Sequence, residues 1–185
     1  FKHITSVFVL DADAELFHPD FKSQERLGQL LTQVAGRGGR GISSSEIFLQ
    51  TYYPNHPLLE KLTNGNYKEF LKEIGKEREI TSMPPFSFVT LIRANSVNEK
   101  NVVDFLDLVK KMVERVEPQS PQNQYLGPIP SMLEKRAGRY RYNFQIKTHT
   151  RSKMHILLTK LIEQLSKTKS FSNVRWSIDV DPIEL

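Results

Sequence analysis

Residues 139–147, RYRYNFQIK, alternate with a strict period of two. Tyr140, Tyr142, Phe144 and Ile146 fall on one side, and Arg139, Arg141, Asn143, Gln145 and Lys147 on the other. Successive side chains of a strand point to opposite faces, so the run is a β-strand with one face in a core and one in water. The aromatic face needs a cover, and the neighbouring sequence supplies it. NEKNVVDFLDLVKKMVERV is a long amphipathic helix with Val102, Phe105, Leu106, Val109, Met112, Val113 and Val116 along one side. RSKMHILLTKLIEQL is a second helix, and FSFVTLIRA and NVRWSIDVDP are two further strands. Trp176 alternates with Val174, Ile178 and Val180 and is expected in the core. PQSPQNQ is expected as a solvent loop. Residues 81–185 therefore predict one compact α/β domain, with Pro84–Pro85 as the stop before it.

Residues 1–80 follow another plan. Val7 to Leu10 form an unbroken apolar run, expected as a buried strand ending in acids. SQERLGQLLTQV places Leu27, Leu30, Leu31 and Val34 on one helical face, with Ser23 as its N-cap and an end around Gly36. EIFLQTYY is a second strand, and NYKEFLKEIGKEREI a polar-faced helix bridging to the next region. Strand, helix, glycine-rich turn and strand suggest the tail of an α/β domain with a parallel sheet. A parallel sheet cannot stand on two strands. The region is therefore expected to be poorly ordered or to lean on its neighbour, as the C-terminal piece of something larger; the start without an initiating Met agrees with that.

Composition narrows the functional classes. With 11 Phe and 38% hydrophobic residues the chain has material for a folded core, and no stretch approaches the roughly 20 apolar residues of a membrane span. There are no cysteines, hence no disulfide or thiolate metal site within the chain. The missing export signal favours the cytoplasm. The five histidines show no ligand spacing, and Asp11 and Asp13 at a strand end are expected to bond locally rather than hold a metal. The net charge of +5 is unevenly spread: eight Lys or Arg and no acid occur from Lys135 to Lys160, whereas acids dominate the first 25 residues.

Two stretches carry chemistry. In QVAGRGGR, residues 33–40, the glycines can end a helix and leave Arg37 and Arg40 solvated. Alternatively Gly36, Gly38 and Gly39 let backbone and arginines approach a phosphate, whose oxygens match the guanidinium fork. No Walker A pattern occurs in the chain. The second stretch is the basic run from Lys135. EKRAGR suggests an exposed bend, and Arg151, Lys153 and His155 open a helix where the dipole disfavours cations. Cations there, beside free amide groups, fit either a phosphate backbone or an acidic peptide.

QVAGRGGR resembles motif VI of superfamily 2 helicases. Together with VLDADAELFHPDFKSQERLGQLLTQVAGRGGR, LQTYYPNHPLL, LGPIPSMLEKRAGRYRYNFQIK and VRWSIDVDP, it resembles the C-terminal part of the primosomal protein N′ family, the bacterial replication-restart helicases. The resemblance covers nearly the whole chain. It implies that residues 1–80 are the truncated end of a RecA-like helicase lobe and 81–185 a compact α/β sandwich resembling ribosomal protein S10. It implies a parent that is an ATP-dependent 3′-to-5′ DNA helicase restarting stalled forks by primosome assembly. Arg37 and Arg40 would contact ATP phosphates, with Gln33 and Gly36 in the same motif. ATP, Mg2+ and Zn2+ would belong to the parent, the zinc through upstream cysteines, so the chain alone is expected to be inactive. The same resemblance implies contact with forked and single-stranded DNA, for which Arg136, Arg139, Arg141 and Lys147 are candidates. It also implies binding of the acidic C-terminal tail of single-stranded-DNA-binding protein, through Arg151 and, where relatives often have glutamine, His155. Other primosome proteins are expected partners. A stand-alone nucleic-acid-binding module and an acidic-tail-binding assembly subunit are the alternatives.

Overall fold

A computed structural model describes residues 5–38, 46–168 and 171–183; the side chains of 37 and 38 lie outside that description. The described residues form two compact units, one running to Thr81 and one from Ser82 to Ile183. No described helix is long and apolar enough to cross a membrane.

The first unit runs β1 (Ser6–Val9), α1 (Ala12–Leu16), α2 (Ser23–Gly38), β2 (Glu46–Leu49), α3 (Pro57–Thr63) and α4 (Tyr67–Ile80). β1 pairs parallel with β2, Val7 opposite Ile47 and Phe8 opposite Phe48. The expected buried strand is half open instead: Phe8 is 65% exposed and Leu10 72%. Parallel strands read as continuous apolar runs because helices normally cover both faces, and among the described residues no further strand pairs with these two. The unit nevertheless has a core of its own. Leu27, Leu58, Leu59, Phe70 and Ile74 join Ala12 and Leu16 in one buried cluster. α4 is thus part of that core through Phe70 and Ile74, not a bridging element. Helix α3 escaped the sequence reading; His56 accepts from the Leu58 amide at 3.3 Å and Pro57 pre-sets its first turn.

Two boundary expectations change in α2. Ser23 is the first helical residue, buried, with its hydroxyl donating to the His18 carbonyl. The oxygen ahead of the helix is that of Asp20, whose carboxylate accepts from the Lys22 amide at 3.1 Å and from Arg26 at 2.7 Å. The helix also continues past Gly36 to Gly38. Asp13 accepts from Thr51 Oγ1 at 2.5 Å and from the Tyr52 amide at 2.8 Å, so its bonds tie the chain just after β1 to the chain after β2 rather than staying local as expected.

The second unit runs β3 (Phe88–Ser96), α5 (Glu99–Val116), β4 (Asn123–Arg136), β5 (Arg139–Thr148), α6 (Arg151–Ser166) and β6 (Arg175–Val180). Its sheet has the order β4-β5-β3-β6, with every neighbouring pair antiparallel. This is the split βαββαβ arrangement. The core joins Ile92 and Ala94 of β3, Phe144 and Ile146 of β5, the apolar side of α5, and Met154, Leu157, Leu158, Leu161 and Leu165 of α6. Removing a side chain such as Phe144 from water contributes about 1.5–3 kcal/mol, and it is fully buried.

β4 is the strand the sequence hides. Residues 123 and 124 belong to it rather than to a solvent loop, and Asn123 is buried with its amide donating to Glu117 at 2.9 Å. Pro128 and Pro130 mask the pattern, yet both are tolerated because β4 is an edge strand. A register shift between Leu126 and Ile129 accommodates them. Gly127 sits there at φ +130, where an added Cβ would lie 2.8 Å from the Asn143 carbonyl oxygen. Ala137 and Gly138, both at positive φ, make the turn into β5. Trp176 is also corrected: on the edge strand β6 it is 40% exposed and Val180 53%, since no further strand flanks β6 among the described residues. Trp176 still stacks on Phe105, ring centroids 6.1 Å apart.

Candidate functional site

Helix α6 begins after Thr150, whose extended backbone turns its hydroxyl to accept from the Lys153 amide at 3.4 Å. Helical spacing then places Arg151, His155, Leu158 and Ile162 along one side. They form one wall of a groove of about 360 Å³, completed by Phe88, Met154, Thr159, Val180 and Asp181. The Arg151 guanidinium lies 5.2 Å from the Phe88 ring centroid and 3.6 Å from Asp181. Arg151 is 77% exposed, so its ion pair with Asp181 is weak and open to exchange. His155 is exposed rather than half buried, its Nδ1 3.3 Å from Thr159 Oγ1. The groove therefore offers a cation at one end of an apolar floor. Asp181 is the one group in it that opposes an acidic ligand.

The cations at the start of α6 are less anomalous than the sequence suggests. Lys153 is held by Glu117 at 3.0 Å, and Asp181 faces Arg151. Acids from elsewhere in the unit offset the unfavourable dipole, and the Thr150 hydroxyl takes one amide.

The open face of the sheet carries the polar side of β5. Arg141, Asn143, Gln145 and Lys147 are part-exposed at alternate positions, while Tyr142, Phe144 and Ile146 between them are buried. Arg139 is tied down: its Nε donates to Asn95 Oδ1 at 2.6 Å and its terminal nitrogen to the Asn95 carbonyl at 3.0 Å. Arg136 is exposed and paired in register with Arg139 at the hairpin end. Lys147 lines a groove of about 500 Å³ with Gln124 and Gln145. Burial pushes its ammonium below the ordinary lysine pKa, and it has no ion pair or hydrogen bond among the described residues. The alternation thus separates core from polar face along the whole strand.

Gln33 and Gly36 lie exposed on the last turns of α2. Gly36 borders a cavity of about 590 Å³ lined by Leu31, Ala35, Ile47, Leu49 and Leu62. A methyl added at Gly36 would meet nothing within 4 Å, so no close approach inside the chain demands glycine there. Arg40 and the Arg37 side chain lie outside the described residues. No group of three or more His, Asp or Glu able to hold a metal occurs among the described residues.

Several surface residues have no local signal. Phe88, Val180 and Asp181 enter the α6 groove from strand ends far away in sequence. Arg93 and Arg175 join Arg141 on the open face only through the pairing of β3 with β5 and β6. Their neighbours in sequence are ordinary strand residues, and sheet order alone brings them together.

Comparison with known proteins follows this division. The family described as primosomal protein N C-terminal domain matches residues 79–183. The chain is 36% identical over 185 residues to the replication restart protein PriA of Haemophilus influenzae, covering 100% of this chain and 25% of that protein. It is 34% identical over 182 residues to PriA of Synechocystis, covering 98% of this chain and 21% of that protein. Against PriA of Bacillus subtilis it is 31% identical over 183 residues, covering 98% and 22%. The chain thus spans about a quarter of the length of these relatives. With the family matched over more than half its residues, the chain belongs to the primosomal protein N C-terminal domain family.

Proposed function

We propose that this chain is the C-terminal part of a replication-restart DNA helicase, and that its second unit is a non-catalytic module joining DNA to a partner protein. The carrying observation is the α6 groove: a loosely paired Arg151 at one end of a floor made by Phe88, Met154, Leu158 and Ile162. An acidic, apolar-ended peptide such as the tail of single-stranded-DNA-binding protein suits that arrangement. Its carboxylate takes the Arg151 fork and its apolar residues fill the floor, with His155 at the side. DNA occupies the open face through Arg136, Arg139, Arg141 and Lys147. The relatives' name, replication restart protein, supports this setting. The β1–α2–β2 crossover supports reading the first unit as the end of a RecA-like lobe, and the βαββαβ order supports likening the second to ribosomal protein S10. ATP turnover then belongs to the parent, with Arg37 and Arg40 contacting ATP phosphates beside Gln33 and Gly36, and Mg2+ and Zn2+ held upstream. Other primosome proteins are further partners of the parent, in the cytoplasm.

Titrating labelled tail peptide and labelled single-stranded DNA into the 185-residue chain tests this reading. Arg151→Ala is expected to weaken the peptide about tenfold or more, the worth of one charge-assisted hydrogen bond, and to leave DNA affinity nearly unchanged. Asp181→Asn is expected to strengthen the peptide. Equal loss of both ligands in Arg151→Ala would reduce the two surfaces to one undifferentiated positive patch.

A further inference from the structure

Arg141 of β5 and Arg175 of β6 are each paired in register with Asn95 of β3. They stand on the same face to either side of it, with backbones about 10 Å apart, two strand spacings. Two residues along β3, Arg93 shares the face and is anchored by Asp179 at 2.9 Å. A cleft of about 320 Å³ opens among these three arginines, with Asn143 and Ser177 on its walls. Both Asn95 oxygens are already taken by Arg139. The Arg141 and Arg175 side chains have no hydrogen bond or ion pair among the described residues. The three guanidinium groups concentrate positive charge around the cleft, and no carboxylate lines it among the described residues. An anion in the cleft would meet that charge directly.

We propose that the cleft binds a backbone phosphate of a single-stranded nucleic acid, with Arg141 and Arg175 closing on it from opposite sides. This rests on the reading of the open face as a DNA surface and adds Arg93 and Arg175 to it. Two forks approaching from opposite sides match the two free oxygens of a phosphodiester. The cleft walls are polar, unlike the apolar floor of the α6 groove, so a peptide tail gains nothing there beyond its charge. From Arg141 the strand follows β5 over Asn143 and Gln145 to Lys147. Side chains recur on one face about every 6.8 Å, close to the step between successive phosphates of an extended strand, and the two amides between the cations can bond base edges. A duplex keeps its Watson–Crick edges paired and stacked, so the two amides favour a single strand.

The test uses the 185-residue chain with labelled oligothymidine, measured by anisotropy at several salt concentrations. Arg175→Ala is expected to weaken binding about tenfold and to reduce the slope of log affinity against log salt by about 0.7 per lost phosphate contact. Arg175→Lys is expected to restore only part of the affinity, since a point charge cannot replace the fork. The Arg141→Ala, Arg175→Ala double variant should lose less than the product of the single losses, because both side chains hold one phosphate. Arg115→Ala, on the exposed side of α5, serves as the control with unchanged binding. Unchanged affinity and slope in Arg175→Ala, while Lys147→Ala still weakens binding, overturns the cleft and leaves the DNA surface standing. No loss in any of these variants overturns the DNA surface itself. Fully multiplicative losses in the double variant overturn the shared phosphate, and equal affinity and slope with duplex DNA overturn the single-strand assignment. Arg175 is exposed on an edge strand, and a thermal melt of each variant confirms that the sheet is retained.

Discussion

The first unit leaves Phe8 and Phe48 stacked at 4.8 Å on a two-stranded sheet with both rings about half exposed or more, whereas the second buries Phe144 fully between its sheet and two helices. Both units spend aromatic residues on strands, and only one recovers burial from them. The difference lies in sheet type. An antiparallel sheet needs cover on one face, and α5 and α6 provide it from within the same hundred residues. A parallel pair needs cover on both faces and further strands at its edges. The first unit draws its stability instead from helix contacts, where Phe70 of α4 meets α2.

The largest test of that contrast is a pair of substitutions in the 185-residue chain followed by urea unfolding. Phe144→Ala is expected to cost about 3–5 kcal/mol, the usual loss for a buried phenylalanine. Phe8→Ser should change stability by no more than about 1 kcal/mol, because its ring is already largely in water and loses only one stacking partner. Equal costs would mean that the first sheet is buried as well as the second.

A smaller effect probes where the first unit keeps its core. Gly28 lies in α2 directly under Phe70, and an added Cβ would fall 2.3 Å from the ring. Alanine at this position gains about 1 kcal/mol in helix propensity but drives a fully buried ring off its seat, at about 1–3 kcal/mol. Gly28→Ala is therefore expected to lower stability, with a loss of protection confined to α2 and α4 in hydrogen exchange. A stabilised variant would show that the helices are not in close contact there.

The smallest effect is a titration confined to the second unit. The hydrogen bond to Glu99, followed by burial and the Glu99 charge, pushes the Tyr142 phenol up to about 12. Burial, then the charge of Glu117, does the same for Tyr125, whose hydroxyl donates to the Glu117 carbonyl at 2.9 Å. For a phenol held above its ordinary pKa of about 10 the neutral form is favoured on folding. The stabilisation is therefore complete below pH about 10 and is lost as the pH rises towards about 12. Ultraviolet absorbance of phenolate should show Tyr125 and Tyr142 ionising above the ordinary tyrosine range. Glu99→Gln should bring Tyr142 down while leaving Tyr125 in place, and coincident titration of both in that variant would remove Glu99 as the cause.

What the sequence determined by itself is the set of faces. Alternation from Arg139 to Lys147 separates the wet side of β5 from its core side, and helical spacing in α5 selects the side that becomes buried. Such periodicity is local, because side-chain direction follows from backbone geometry alone. The sequence also put Arg151 and His155 a helical turn apart, which is enough to place them on one wall. The tertiary structure decided what each face meets. β4 was illegible because prolines at an edge cost no ladder bond, so nothing forced an apolar alternation upon it. Trp176 reads as core from its neighbours, but its exposure depends on whether another strand lies beyond β6. The groove of Arg151 and the cleft of Arg93, Arg141 and Arg175 likewise draw on residues separated by up to about 90 positions, joined by pairing that no short stretch encodes. Sheet order is a property of the whole chain, since each strand's neighbour is chosen by the burial that all of them share.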